Sequence, residues 1–447
     1  MNIYMQRHSK YKPVRSSYLC EIPEHWHIVP GFVALRENRR DNKGMKERRV
    51  LSLSYGKIIV KPEEKLVGLV PESFETYQVA KPGDIIVRCT DLQNDKTSLR
   101  TGLVEDFGII TSAYLNLASN KGFSGRYLHY FLHSLDTTKV LYQLGTGLRQ
   151  NLSYQDFKRF PVVSPPFAEQ VIIAGFLDRK TIQIDKAISV KEQQITLLKE
   201  RKQILIQNAV TRGLNSNAPM RDSGVEWIGE IPIHWSIKRA KYLFQEVDER
   251  SPHGQEELLS VSHMTGVTPR SEKSVSMFMA EDYTGSKTCQ SGDLVFNIMW
   301  AWMGALGVSD RSGIVSSSYG IFRQLKTQMF NSQYLEMLLK TIGYIEHYNK
   351  VSTGLHSSRL RFYSHMFMAM EIGYPDLEEQ NTIVEHINLE SGRLDKAVEI
   401  LSQQITKLKE YKATLINSAV TGKVKVPGVV EPGDEVARPD MQELPAL

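Results

Sequence analysis

The chain has 447 residues, 41% hydrophobic and 23% charged, so it can bury real cores and as a soft expectation holds about three domains of ordinary size. Cys20, Cys89 and Cys289 lie far apart with no CxxC or Cys/His spacing, which excludes a zinc ribbon and a disulfide scaffold; no metal ligand set is expected. The net charge of +5 is uneven: residues 1–165 carry 24 Lys and Arg against 16 Asp and Glu, and residues 216–376 carry 15 against 17, so a polyanionic partner suits the first block and is not dictated by the second.

In chain order, the opening MNIYMQRHSK is polar and basic, so no secretory leader is expected. Up to residue 165, short apolar runs such as KPGDIIVRC, bounded by Gly, Pro, Asn and Asp, predict strands and turns, with a helix over 125–143. Residues 168–211 lack proline and carry helical periodicity, entered after prolines with Glu169-Gln170 in the first turn. The same order returns: strands such as that in QSGDLVFNIMW, a helix over 331–348, then a helix over 378–421 entered with Glu379-Gln380. The most apolar stretch, 294–308, is broken by Asn297 and two glycines and falls short of a membrane span of about 20 residues. A cytoplasmic location without membrane contact is therefore expected. From about 424 the chain is Pro-rich and acidic, and is expected to be disordered or loosely docked. The boundaries are 1–165, 166–215, 216–376, 377–424 and a tail of 425–447, in an α+β fold class.

That return is a duplication. YLCEIPEHW (18–26) recurs as WIGEIPIHW (227–235), Gly83-Asp84 as Gly292-Asp293, GIITSAY (108–114) as GIVSSSY (313–319), and Thr146-Gly147-Leu148 as Thr353-Gly354-Leu355. Residues 185–211 match 395–421 at a constant offset of 210, with 16 of 27 identical. Residues 36–80 and 245–290 show no useful similarity.

Within the long helices, apolar residues step by four and three: Leu394, Val398, Leu401, Ile405, Leu408 and Leu415 in the second copy, interrupted at Lys412. In the first copy they are Ile184, Ile188, Ile195, Leu198 and Leu205, with Lys191 and Lys202 interrupting. A period near 3.5 is a coiled-coil seam; two separate surface helices are the alternative. A helix of ~44 residues would be ~66 Å long, more than a small domain can cover, so each copy is expected to pack on the other. Chain order then makes the pair antiparallel, with a pseudo-two-fold relating two modules.

Two related modules on a stiff spacer suit a ligand with two-fold symmetry and a repeat, as duplex DNA has; dimeric readers place their elements ~34–36 Å apart. Divergent modules would read two different half-sites. A scaffold that joins two proteins is the competing reading. The run SGVEWIGEIPIHW (223–235), the Thr-Gly-Leu segments, the Pro-to-Glu-Gln entries and the helix end INSAVTGKV (416–424) resemble the specificity subunits of Type I restriction-modification systems, over nearly all of 18–424. Tyr18 and Cys20 depart from Trp227 and Gly229 of the second copy. The resemblance implies two target-recognition domains joined by helices that form an antiparallel coiled coil, with no catalysis and no cofactor on this chain. It implies as partners double-stranded DNA, two methyltransferase subunits using S-adenosylmethionine, and restriction subunits using ATP and Mg.

Ser164-Pro165-Pro166-Phe167 has the form that holds a target amine in amino-methyltransferases. It also occupies the repeat position of Gly373-Tyr374-Pro375-Asp376, where proline simply starts a helix, and no cofactor loop, GxxxxGK, HExxH or GxSxG accompanies it. A lone adenine methyltransferase is the weaker alternative.

For DNA contact, Arg36, Arg39, Arg40, Lys43, Lys46, Arg48 and Arg49 place seven cations in 14 residues, able to release phosphate counterions or simply to form a solvated face. Arg88, Gln93, Asn94 and Arg100 belong to a polar loop after a strand, and such side chains bond guanine or adenine edges. Arg149, Gln150 and Asn151, and His356, Ser357, Arg359 and Arg361, follow the Thr-Gly-Leu turns, which either approach a phosphate or cap helices facing water. Asn297, Trp300 and Trp302 are expected in an apolar strand, the tryptophans in the core. His25-Trp26 and His234-Trp235 recur and read as structural.

Overall fold

The computed structural model describes residues 6–16, 18–62, 64, 73–95, 97–144, 151–272, 282–354 and 360–433. The chain divides into two compact units: Met1–Lys191 with Gln403–Leu447, and Glu192–Ser402. Each contains strands and helices, an α+β composition.

In the first unit a four-stranded antiparallel sheet has the order Leu35–Glu37, Leu115–Ser119, Ile85–Val87, Thr101–Leu103. The second unit repeats it as Phe244–Glu246, Gly320–Gln324, Leu294–Phe296, Leu306–Val308. The Gly-Asp pairs show why the sequence starts a strand there. Gly83 takes φ +94° and Gly292 φ +91°, a left-handed turn open to glycine. The following aspartate folds back, Asp84 Oδ2 accepting from the Lys81 N–H and Asp293 Oδ2 from the Gln290 N–H, both at 2.8 Å. The next three residues, Ile85–Val87 and Leu294–Phe296, are buried on both faces.

Around each sheet lie matching hairpins. Leu51–Ser54 pairs with Lys57–Val60 in the first unit, and Leu259–Ser262 with Gly266–Pro269 in the second. These fall in the stretches without sequence similarity, so the topology persists where the residues have diverged. The strand His27–Pro30 pairs with Pro161–Ser164, and Ser236–Arg239 with Glu371–Tyr374, bringing the start and end of each module together. Ser164-Pro165-Pro166-Phe167 thus serves as a strand end and helix entry, as its repeat counterpart does.

The expected helix over 125–143 is Gly125–Thr137 followed by a 3-10 turn, Val140–Gln143, broken at Lys139 with φ +65°. That over 331–348 is split into Ser332–Leu339 and Ile342–Val351. The long helices span Phe167–Arg212 and Leu377–Val420. Their entries are clamped identically. Trp26 Nε1 donates to Glu169 Oε1 at 3.0 Å and Trp235 Nε1 to Glu379 Oε1 at 3.2 Å, while His25 and His234 lie 3.0 and 2.8 Å from the same carboxylates. Gln170 Nε2 donates to the Pro165 carbonyl at 2.9 Å and Gln380 Nε2 to that of Pro375 at 3.0 Å.

Each unit takes part of both long helices. In the first, Tyr127 Oη lies 3.1 Å from the carbonyl oxygens of Val163 and Val420; in the second, Tyr334 Oη donates to the Val210 carbonyl at 3.0 Å. The helix segments of the first unit run antiparallel: Asp185 meets Lys412 at 2.6 Å and Lys191 meets Gln404 at 2.6 Å. In the second, Lys202 meets Asp395 at 2.7 Å, and Ala209 and Val210 share a core with Ile383, Val384 and Ile387. Ile184, Ile188, Ile405 and Leu415 are buried, and Ile195, Leu198, Leu205, Leu394, Val398, Leu401 and Leu408 half-buried, whereas Ile182, Leu197 and Ile204 on the other faces are exposed.

The beginning of the tail differs from expectation. Val426, Val429 and Glu431 are buried, and the Lys425 N–H donates to the Gln6 carbonyl at 2.7 Å. Two valines and one well-partnered carboxylate suffice to dock a segment whose composition reads as disordered. No helix among the described residues is long and apolar enough to cross a membrane.

Candidate nucleic-acid interface

In both units the loop that follows the central Gly-Asp strand meets the segment that follows the Thr-Gly-Leu turn. The Leu152 N–H donates to the Cys89 carbonyl at 2.8 Å, and the Phe362 N–H to the Ile298 carbonyl at 3.0 Å. These are the same bond at equivalent repeat positions. In the first unit Asn151 Oδ1 also accepts from the Asp91 N–H at 3.0 Å, so the structure brings two of the expected groups together. Arg149, Gln150, His356, Ser357 and Arg359 lie outside the described residues.

The first-unit loop is held from inside by Arg100. This side chain is fully buried, and its guanidinium donates to the carbonyls of Thr90 at 2.8 Å and Asp91 at 3.1 Å, and its Nε to Tyr142 Oη at 3.1 Å. Arg100 is therefore not a base-reading residue but the post around which the loop is wound, because carbonyls turned inward need a fixed multi-donor partner. Arg88 is likewise engaged, 3.0 Å from Asp95. The Ser98 N–H first, and Arg88 after it, hold the Asp95 carboxyl well below the usual carboxylate range. Among the described residues of the loop Gln93, Asn94 and Thr97 are exposed, Asn94 donating to Asp91 Oδ1 at 2.8 Å.

The basic run stands apart from this loop. Arg40 pairs with the buried Asp84 at 2.7 Å, at the start of the strand Ile85–Val87 whose far end opens the loop, so Arg40 braces the sheet instead of facing solvent freely. Arg39, 3.7 Å from Asp41, and Lys43 are exposed.

In the second unit Asn297 is also corrected. It is buried, donating to Tyr319 Oη at 3.0 Å and accepting from the Met299 N–H at 3.2 Å, which fixes the turn and leaves nothing for a ligand. Trp300 and Trp302 are in the connection between Leu294–Phe296 and Leu306–Val308, not in a strand. Trp300 is 46% exposed and its ring lies 5.8 Å from that of half-buried Trp302, so this pair is not core. Arg361 is half-buried, its main chain bonded to Thr353 in both directions.

Tyr55 was not anticipated. It sits 92% exposed at a hairpin tip, with φ +48° followed by Gly56 at +76°. A Cβ on Gly56 would come within 2.9 Å of Leu99, so the tip lies against the Arg100 loop. Tyr-Gly between LSLS and KIIV is the turn signal that points to it. Met264, 81% exposed, holds the tip of the equivalent hairpin.

The geometry at hand is thus a cluster of loops on one sheet edge, repeated in topology and unlike in residues. No family model matches the chain. A curated relative, the Type I restriction enzyme MjaVIII specificity subunit of Methanocaldococcus jannaschii, is 25% identical over 336 residues, 71% of this chain and 75% of its own. The chain is a homologue of a Type I specificity subunit. Solved structures extend the likeness of fold to both repeats. A chain described under complex assembly and conformational transition of the type I R-M system has a TM-score of 0.63 at 15% identity, covering 90% of this chain and 99% of that one. The HsdS subunit from Thermoanaerobacter tengcongensis has a TM-score of 0.52 at 14% identity, covering 92% and 100%.

Proposed function

We propose that this chain is the noncatalytic DNA-recognition subunit of a Type I restriction-modification complex, each unit reading one half of a bipartite, asymmetric target in double-stranded DNA. The observation that carries the reading is the paired loop cluster: one backbone frame, held by the same bond in each unit, presents Gln93 and Asn94 in the first and Trp300 and Arg361 in the second. A conserved frame with different side chains is what two different half-sites require, since base edges are told apart by donor and acceptor pattern. The homology to a specificity subunit supports it.

In this reading the long helices set the unread gap and dock two methyltransferase subunits. Those partners would use S-adenosylmethionine, and restriction subunits would use ATP and Mg, all in the cytoplasm. The second module carries more acidic than basic residues, so partners would supply much of the phosphate neutralisation and the isolated chain would bind DNA weakly.

Exchanging residues 216–375 for those of a related subunit, followed by methylome sequencing, tests the reading. One half of the methylated motif should change and the other persist. A motif altered in both halves, or no motif dependent on the chain, would overturn it.

A further inference from the structure

The His-Trp-Glu clamp at the helix entry occurs twice, but the first copy contains an extra histidine. His8 is buried against it, its ring 5.7 Å from that of His25 and 5.5 Å from that of Trp26. Both ring nitrogens are sealed from solvent; Nδ1 lies 3.0 Å from Glu431 Oε1, and Nε2 has no hydrogen-bond partner. Ligand atoms of His8, His25 and Glu169 all lie within 4.8 Å of one another. In the second unit the position equivalent to His8 is Asn217, which is exposed, and among the described residues no third such ligand joins His234 and Glu379.

We propose that His8, His25 and Glu169 bind a divalent zinc-class cation. Two imidazoles and a carboxylate are a donor set for such an ion, and small side-chain rotations would bring them to the ~2.0–2.2 Å such ligands need. An unpartnered buried imidazole nitrogen is costly as it stands, and coordination removes that cost. Glu431, which accepts from the Ser9 N–H at 3.1 Å, faces the other nitrogen of His8 as a carboxylate that orients a liganding histidine does. The site ties the N-terminal strand, the EIPEHW strand, the first long helix and the docked tail together, and it is independent of the DNA-reading proposal.

The test uses the purified full chain, stripped with chelator and titrated with Co2+ and then Zn2+. The expected result is visible d–d absorption that saturates at one Co2+ per chain and is displaced by one Zn2+. His8→Asn, which installs the second unit's residue, should abolish it, and His234→Gln should leave it intact, with circular dichroism confirming the fold. Glu431→Gln should weaken binding about 10–100-fold. Wild-type chain that shows no stoichiometric Co2+ or Zn2+ binding, or folded His8→Asn chain that binds as before, would overturn the site.

Discussion

Lys412 Nζ lies 2.6 Å from Asp185 Oδ1, and its repeat mate Lys202 lies 2.7 Å from Asp395, the repeat mate of Asp185. One ion pair is thus formed twice, once in each unit, between the two long helices. Lys202 and Lys412 are residues that interrupt the apolar period, so the interruptions are contacts and not defects. A double-mutant cycle of Asp185→Asn and Lys412→Met, read by chemical denaturation, should give a coupling of about 1 kcal/mol, as partly exposed pairs do. A coupling near zero would remove the pair as a determinant of helix register.

Arg100 and Gln93 belong to the same loop and should respond in opposite ways. Arg100→Ala strands several inward carbonyls and should cost about 3 kcal/mol or more of stability. Gln93→Ala should stay within about 0.5 kcal/mol in stability, while lowering discrimination at one base pair by about 1–3 kcal/mol. Thermal melts and methylation of a target library separate the two effects.

His129 gives the first unit a pH dependence. Its Nε2 is sealed and unpartnered, and burial pushes the imidazole down to about 3. The folded value lies below the unfolded one of about 6.5. The stabilisation is therefore fully present above pH 6.5 and is lost as pH falls from there toward 3, because the unfolded chain takes up the proton first. The slope is at most about 1.4 kcal/mol per pH unit. His129→Leu should flatten unfolding free energy against pH between 6.5 and 4.5; an unchanged slope would contradict the neutral buried state.

Removing residues 426–447 should destabilise the first unit, since buried Val426 and Val429 go with them. The loss expected for two buried valines is about 3 kcal/mol. Differential scanning calorimetry should show it, and a truncated chain as stable as the whole would mean that the tail rests on the unit without holding it.

Much of the fold was legible because the duplication speaks at several levels at once. The proline-free, periodic stretches entered after prolines placed both long helices within a residue of their ends, and the recurring Gly-Asp pairs marked the central strands. The matched hairpins at 51–60 and 259–269 were not legible, since strand pairing constrains backbone register and pattern more than residue identity. For the site, sequence singled out both the loop after Val87 and the segment ending at Asn151 for DNA contact, but it could neither join them nor assign direction. An arginine pointing into carbonyls and an arginine pointing at a phosphate look alike on paper, and Arg100 turned out to be the former. The His8 cluster was invisible for a different reason: its members come from positions 8, 25 and 169, and only the folded chain makes them neighbours.

The composition of the first unit also bears on how the protein is made. Its final segment begins at Gln403, while its main body ends at Lys191. At about 5–20 residues per second, the ribosome needs roughly 10–40 s to deliver the missing piece. Throughout that interval the nascent unit exposes the surface later covered by the helix end at Val420, with Tyr127 awaiting its acceptor there. The first unit therefore completes its packing only after the whole of the second has been synthesised.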